Sequence, residues 1–424
     1  MTSADELEKM LRQHVIDPWF PRSLDRENGG FFCDYDRAWK PVGPQERLLE
    51  FQARHTLAAA DLSRAFPDDA RLREAAEHGF RYLRDVLWDK EEGGWFHLVD
   101  PKGKPLESRT KHTHGFAYAI SACVSVYTAT GDRSALELGQ QAFAWIERHS
   151  HDKDHGGYHG FLARDGKPIH RPSDAPYTTE FDTLGTEIGF KDLNTHSDLM
   201  ETLVLLYRVW PDPLLRTRLD EMVDIVSDKL AVPSTGAMHF FATSDWRPVP
   251  HLIRVGYQCH SAYRLLLALS AIGDSERIRG VARRIMDNAI RYALDTEVGG
   301  FFYATPGVLP NVLHQHDVRV QRKTWWVQCE ALRALCAMSR AVPDDGRYLQ
   351  LFERQWRYMK QHCFDRRFGG MYAFGLDTAT RWQRKMGARL APAWMTRKGD
   401  VWKDASHDGR ALLFCHDMLR GGTL

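Results

Sequence analysis

Pairs of glycines followed at once by aromatic residues recur along the chain: NGGFF at 28–32, EGGWFH at 92–97, HGGYHG at 155–160, VGGFFYA at 298–304 and FGGMYAF at 368–374. A weaker sixth copy, TGAMHFF, lies at 235–241. Successive copies are roughly 60 to 80 residues apart, which leaves room for two helices of ordinary length in each interval. A turn that reverses the chain often needs positive φ, which glycine adopts freely, so each signature reads as the turn of a helical hairpin whose aromatics form a short strand.

The intervals agree. Periodic apolar spacing runs through about twelve segments, roughly 4–17, 46–65, 69–88, 112–130, 133–149, 193–210, 213–231, 256–272, 275–294, 323–340, 346–363 and 404–420, two for each signature. In LMETLVLLYRVW, for example, Leu199, Leu203, Leu206 and Trp210 follow a three-to-four step, and Pro211 supplies the stop. Hairpins that each bury one face must either stack into an open solenoid or close into a ring. No polar capping repeat closes the array, and Trp, Tyr, Phe and His gather near the glycine turns, as they would around a pocket. The expected fold is all-α, a single domain over 1–424: an (α/α)6 barrel of about twelve helices with short strands or β-hairpins over the pocket.

Composition narrows the partners. The 57 Lys plus Arg against 56 Asp plus Glu leave a net charge of +1, too little to attract phosphate backbones or anionic lipid, so neither nucleic acid nor membrane is an expected partner. The opening MTSADELEKMLRQHV carries acidic charge where a secretory signal has a basic start and an unbroken apolar run. The seven cysteines (33, 123, 259, 329, 336, 363, 415) are scattered without a CxxC pair and read as buried thiols, with no disulfide framework or thiolate metal site. A cytoplasmic monomer or homodimer acting on a small molecule is expected.

Of the 20 histidines most are expected to be structural, and those clustered with Trp and charge are the candidates for chemistry. Four clusters stand out. Arg54 lies on an early helix turn in EFQARHTLAAADLS; its bland reading is a surface ion pair. KDLNTHSDLMETL holds Asn194, His196, Asp198 and Glu201. At 100° per residue Asn194, Asp198 and Glu201 share a helix face while His196 points the opposite way, and Asn194 could equally be an N-cap. RVGYQCHSAYRLL offers Arg254, His260 and Tyr263, and DVWKDASHDGRALL offers Trp402, Lys403 and His407. His112-Thr113-His114 and His314-Gln315-His316 each present two imidazoles that could chelate, but no third ligand is visible beside either, so no metal and no cofactor is expected.

At these residues the chain resembles the N-acylglucosamine 2-epimerase family, which includes cellobiose 2-epimerases, mannose isomerases and sulfoquinovose isomerase. The resemblance covers nearly the whole length and rests on QAR at 52–54, NTH at 194–196, the helix start around His260, KTWWVQCEAL at 323–332 and WKDASHDGR at 402–410. It implies an (α/α)6 barrel and two proton-transfer histidines, by motif His260 and His407. It also implies that Arg54 contacts the substrate near the reacting carbons, that Trp325, Trp326 and Trp402 form aromatic walls, and that Asn194 faces the sugar. Glu201, Arg254, Tyr263 and Lys403 are expected as further substrate contacts. Two positions depart from the family pattern. Asp198 stands where a third histidine, often assigned to ring opening, is usual, and Tyr263 stands where a carboxylate commonly supports the barrel histidine.

The expected activity is 2-epimerisation or aldose–ketose isomerisation of a reducing sugar through an enediolate, with His260 and His407 as base and acid and Asp198 or His196 assisting ring opening. The rivals are a glycoside hydrolase working with Asp182, Glu187, Asp198 or Glu201, and a sugar-binding protein without catalysis.

Overall fold

A computed structural model describes residues 2–106, 110–174, 188–305, 322–378 and 391–423. Twelve principal helices stand among these residues. α1 runs as Ala4–Leu11, a wide π-helical turn Arg12–Ile16 and Asp17–Arg22; it continues past the expected end near 17, with Pro18 and Pro21 inside its last segment. The others are α2 Leu49–Ala65, α3 Ala70–Tyr82, α4 Thr113–Thr130, α5 Arg133–His149, α6 Leu193–Val209, α7 Pro213–Asp224, α8 Val255–Ile272, α9 Glu276–Ala293, α10 Trp325–Ala341, α11 Arg347–His362 and α12 Ser406–Leu419.

The even-numbered helices close a ring. α2 packs on α4, α4 on α6, α6 on α8, α8 on α10, α10 on α12, and α12 returns to α2; each odd-numbered helix covers an even-numbered one from outside. The two layers differ as burial requires. α4 is buried without a break from Thr113 to Val126, the pattern of a helix covered on every side. In α9 only Ile278, Val281, Ala282, Ile285, Met286, Ala289 and their companions on one face are buried, and the other face meets solvent. Leu199, Leu203 and Leu206 are wholly inside, each contributing roughly 1.5–3 kcal/mol through burial.

At one end of the barrel the hairpins turn through the glycine signatures. The residue after each signature's glycine, or glycine-alanine, pair forms a single β-bridge with the chain leaving the preceding outer helix: Leu24 with Phe31, Trp88 with Trp95, His151 with Tyr158, Ala231 with Met238, Leu294 with Phe301 and Phe364 with Met371. Gly157 shows why glycine is needed: its φ is +71°, and a Cβ there would lie 2.5 Å from Trp246 and 2.7 Å from His196 Nε2. Two-residue strands enter the inner helices and pair with the strand beyond the next signature, Arg47–Leu48 with Leu98–Val99, Lys111–His112 with Phe161–Leu162, Lys191–Asp192 with Phe241–Ala242 and Ile253–Arg254 with Ala304–Thr305.

These turns share a buried ion pair. The first residue of each signature turn is aspartate in five copies, and its carboxylate meets the cation that precedes the next inner helix: Asp25 with Arg47 (2.7 Å), Asp89 with Lys111 (3.3 Å), Asp152 with Lys191 (2.7 Å), Asp295 with Lys323 (2.8 Å) and Asp365 with Lys398 (2.9 Å). In the weak copy at 235–241 both partners are apolar, Val232 and Ile253. Charge is lost from both sides or from neither, as expected where an uncompensated buried charge is costly. All seven cysteines are free and buried. Among the described residues no helix is long and apolar enough to cross a membrane.

Candidate active site

The inner helices begin at the signature end, and the side chains of their first two turns build a cavity of about 410 Å³. Two rings do this. The second residues of α2 to α12 in turn are Glu50, His114, Asn194, Gly256, Trp326 and His407; the sixth residues are Arg54, Tyr118, Asp198, His260, Glu330 and Ala411. Positions four apart share a helix face, so the two rings stack along the barrel axis. Gly256 leaves its place in the upper ring open and the Trp326 ring fills it, since a Cβ on Gly256 would come within 1.9 Å of the indole.

His260 and His407 both line the cavity, with ring centroids 5.7 Å apart and planes 16° from parallel. Glu330 joins them: Oε2 lies 3.0 Å from His260 Nε2 and Oε1 2.8 Å from His407 Nδ1. Glu330 takes His407 Nδ1 and leaves its Nε2 to exchange protons with a bound molecule, whereas His260 Nδ1 is buried, so the nitrogen of His260 suited to proton transfer is Nε2, beside Glu330. Burial pushes His260 down to about 4, against the opposing pull of Glu330, so its imidazole is neutral at pH 7. Burial would raise Glu330, but the two imidazoles hold it well below the usual carboxylate range.

Arg54 is positioned from behind. Its Nε donates to Asp404 Oδ2 (2.8 Å) and Nη2 to the Trp402 carbonyl (2.8 Å). Burial alone would lower its pKa; Asp404, Tyr118 and Glu50 more than reverse this, so the guanidinium stays charged. The N-terminal ends of the six inner helices add partial positive charge around the same space. Asn194, Arg254, Tyr257, Trp325, Trp326 and Trp402 complete much of the wall, with the Arg254 guanidinium 4.2 Å over the Phe240 ring. The site is thus two paired imidazoles, a fixed cation and an aromatic lining, suited to moving a proton on a polar molecule and stabilising the negative charge that results.

Residues 29–385 match the family of N-acylglucosamine 2-epimerases. The chain belongs to the N-acylglucosamine 2-epimerase family. It is therefore an enzyme of the isomerase class. It is 26% identical to a cellobiose 2-epimerase of Bacteroides fragilis over 98% of each chain, and 22% identical to a D-mannose isomerase of Thermobifida fusca over 88% of this chain and 85% of the other. The structure of a cellobiose 2-epimerase from Spirochaeta thermophila superposes with a TM-score of 0.84 at 25% identity, covering 99% of this chain and 96% of that one. A family 76 glycoside hydrolase shares the fold alone, at 11% identity and a TM-score of 0.65 over 98% of this chain and 78% of that one.

In this N-acylglucosamine 2-epimerase family member, eight of the sequence-derived candidates line the cavity: Arg54, Asn194, Arg254, His260, Trp325, Trp326, Trp402 and His407. Five do not. His196 points outward, as its helix angle implies; its Nδ1 is 2.7 Å from the Asp192 carbonyl and its Nε2 accepts from the Tyr158 amide (3.0 Å), so it fixes the third signature turn and is removed from the catalytic set. Glu201 and Tyr263 lie about one turn farther along their helices, buried below the cavity lining. Glu201 pairs with Arg264 (2.8 Å), Arg410 (2.9 Å) and Arg333 (3.2 Å), and Arg333 donates to the Tyr263 hydroxyl (2.6 Å). Lys403 is wholly buried beneath the wall, donating to the Lys398 carbonyl (2.8 Å) and lying 5.3 Å over Trp325. Asp198 reaches the cavity only through others: it accepts from Tyr118 Oη (3.1 Å), lies 3.0 Å from His114 Nε2 and pairs with Arg264. Asp182, Glu187, His314 and His316 lie outside the described residues.

The missing carboxylate is a further correction. Tyr263 does replace it in sequence, yet Glu330 of the neighbouring helix supports His260 in its stead. Glu330 lies inside the KTWWVQCEAL segment, and its sixth place in α10, matching Arg54 and His260 in their helices, was the available signal. The same register marks Tyr118 and His114, whose imidazole is held between Asp198 and Glu50; burial opposes its charge but the two carboxylates lift it to about 9.

Proposed function

We propose that the protein interconverts a reducing sugar with its C2 epimer or its ketose, acting on an aldose of the mannose or glucose type or on a disaccharide with such a reducing end. The observation that carries this reading is the pair His260 and His407 sharing Glu330 at the cavity wall. Once the sugar is open, its C2 hydrogen is acidic enough for a neutral imidazole to remove, and His260 is neutral at pH 7. The enediolate oxygens develop beside Arg54, whose charge is permanent. The other histidine returns a proton, to the opposite face of C2 for the epimer or to C1 for the ketose. Because Glu330 touches both rings, positive charge arriving on either is met by one carboxylate, and the reaction can run in both directions. Asp198 acts as a positioning residue, holding His114 and Tyr118 at the wall where the ring opens.

The hydrolase alternative needs pocket carboxylates free to act as acid and base. Asp198 and Glu201 are both committed to arginines away from the cavity surface, which favours the isomerase. The test is proton NMR in deuterated water with mannose, glucose, cellobiose and N-acetylglucosamine. Deuterium at C2 of a new epimer, or at C1 of a new ketose, is expected from the wild type, with a loss of about 10²–10⁴-fold in His260→Ala and His407→Ala. Release of sugars from a glycoside without exchange at C2 overturns the reading.

A further inference from the structure

The pair His112 and His114, for which the sequence shows no third ligand, acquires one in the fold. We propose that Glu50, His97 and His112 bind a divalent transition-metal ion of the zinc type behind the wall of the cavity, with His114 at the fourth corner. Glu50 is the second residue of α2, His97 ends the second glycine signature, and His112 ends the strand that enters α4. The Leu49 amide donates to the His97 carbonyl and the His97 amide to the Thr110 carbonyl, so backbone pairing fixes all three side by side.

One ligand atom from each lies within 4.8 Å of the other two. Glu50 Oε1 is 2.9 Å from His112 Nδ1, and Oε2 is 3.4 Å from His97 Nδ1. Tetrahedral bonds of about 2.0–2.1 Å place neighbouring ligand atoms about 3.3 Å apart, so the group needs little rearrangement to hold an ion. All three side chains are buried, and among the described residues neither nitrogen of His97 has a hydrogen-bond partner, nor does His112 Nε2 or Glu50 Oε2. An imidazole buried with both nitrogens unmet is an unfavourable arrangement that a metal bond relieves. His114 Nδ1 stands 3.3 Å from Glu50 Oε1, and its Nε2 lies 3.0 Å from Asp198, the carboxylate–histidine contact that orients a ligand ring. Its Nδ1 proton leaves as the ion enters. Two or three imidazoles with one carboxylate suit zinc and its neighbours rather than calcium or magnesium. The ion ties the starts of α2 and α4 together and does not itself touch the substrate.

The experiment uses the full-length protein, stripped with a chelator and then dialysed against Zn²⁺ or Co²⁺, with metal content read by mass spectrometry and Co²⁺ coordination by its visible bands. One ion per chain with four-coordinate Co²⁺ spectra is expected in the wild type and in His260→Gln, and loss of it in His97→Gln and Glu50→Gln. Circular dichroism checks that each variant is folded. Should Glu50→Gln fail to fold, His97→Gln alone decides, through metal content and through the rise in thermal midpoint that Zn²⁺ gives the wild type and not the variant. No stoichiometric ion in the wild type, or an ion kept by His97→Gln, overturns the proposal. So does an ion lost only in His260→Gln, which would place it on His260, Glu330 and His407, whose ligand atoms also lie within 4.8 Å of one another. Sugar turnover is not the readout, so this result stands apart from the outcome of the exchange experiment.

Discussion

The base role proposed for His260 rests on burial: removing water from around the ring disfavours its cation and lowers its pKa to about 4, against an ordinary 6.5. The limb of the kcat/KM profile belonging to His260 is therefore expected near pH 4 on the acid side, and a limb near 6.5 in its place would contradict the assignment. Glu330 accounts for the pairing of the two rings. Glu330→Gln keeps the volume and removes the charge, and kcat is expected to fall by about two orders of magnitude with the far-ultraviolet circular dichroism unchanged. Gly256 makes a different kind of contribution, by having no side chain. Gly256→Ala would press a methyl group into Trp326, displacing an indole that lines the cavity, so KM should rise more than kcat falls. At this scale the sequence disclosed residue types better than residue roles. His260, His407 and Arg54 were legible because they lie at helix starts in mixed aromatic and charged company. Glu330 was not, because a glutamate within a helix looks like any surface ion-pair partner until α8, α10 and α12 stand side by side.

The hairpin elements are closed by one device used five times and replaced once. In the third signature, Lys191 is buried against Asp152 and also donates to the carbonyls of Gly156 and Ser244. Asp152→Ala should destabilise the protein by about 3–5 kcal/mol, because it leaves a buried ammonium without its counter-charge. The double change Asp152→Val with Lys191→Ile copies the natural Val232 and Ile253 pair and should recover a large part of that loss; urea unfolding of the three proteins checks both statements. The six turns were legible in the sequence, since a backbone at positive φ leaves a glycine behind. Their cations were not, because Arg47, Lys111, Lys191, Lys323 and Lys398 lie some 20 to 40 residues from their partners and only the fold makes them neighbours.

Over the whole molecule the same burial that tunes the site makes stability depend on pH. His14 and His55, like His260, are pushed by burial to about 4. A histidine whose folded pKa is depressed adds stability that is fully present above its unfolded value near 6.5 and is lost as pH falls through about 4, since only the unfolded chain takes up the proton readily. Asp89, Asp152 and Asp365, held low by their cations although burial opposes this, act in the same direction at still lower pH. The thermal midpoint should therefore decrease steadily between pH 7 and pH 4, and one that is flat across that range would contradict the neutral state of these histidines. By itself the sequence determined that six glycine turns separate twelve amphipathic or buried helices, because φ preference and apolar period are written locally in residue type. Closure of the ring decided the rest: it stacked the second and sixth positions of the inner helices into one cavity, moved the supporting carboxylate from Tyr263 to Glu330, sank Glu201 and Lys403 below the surface, and gave His112 and His114 a neighbouring glutamate. Those outcomes depend on which helices touch, and contact between segments hundreds of residues apart is a property of the packed barrel and not of any stretch of chain.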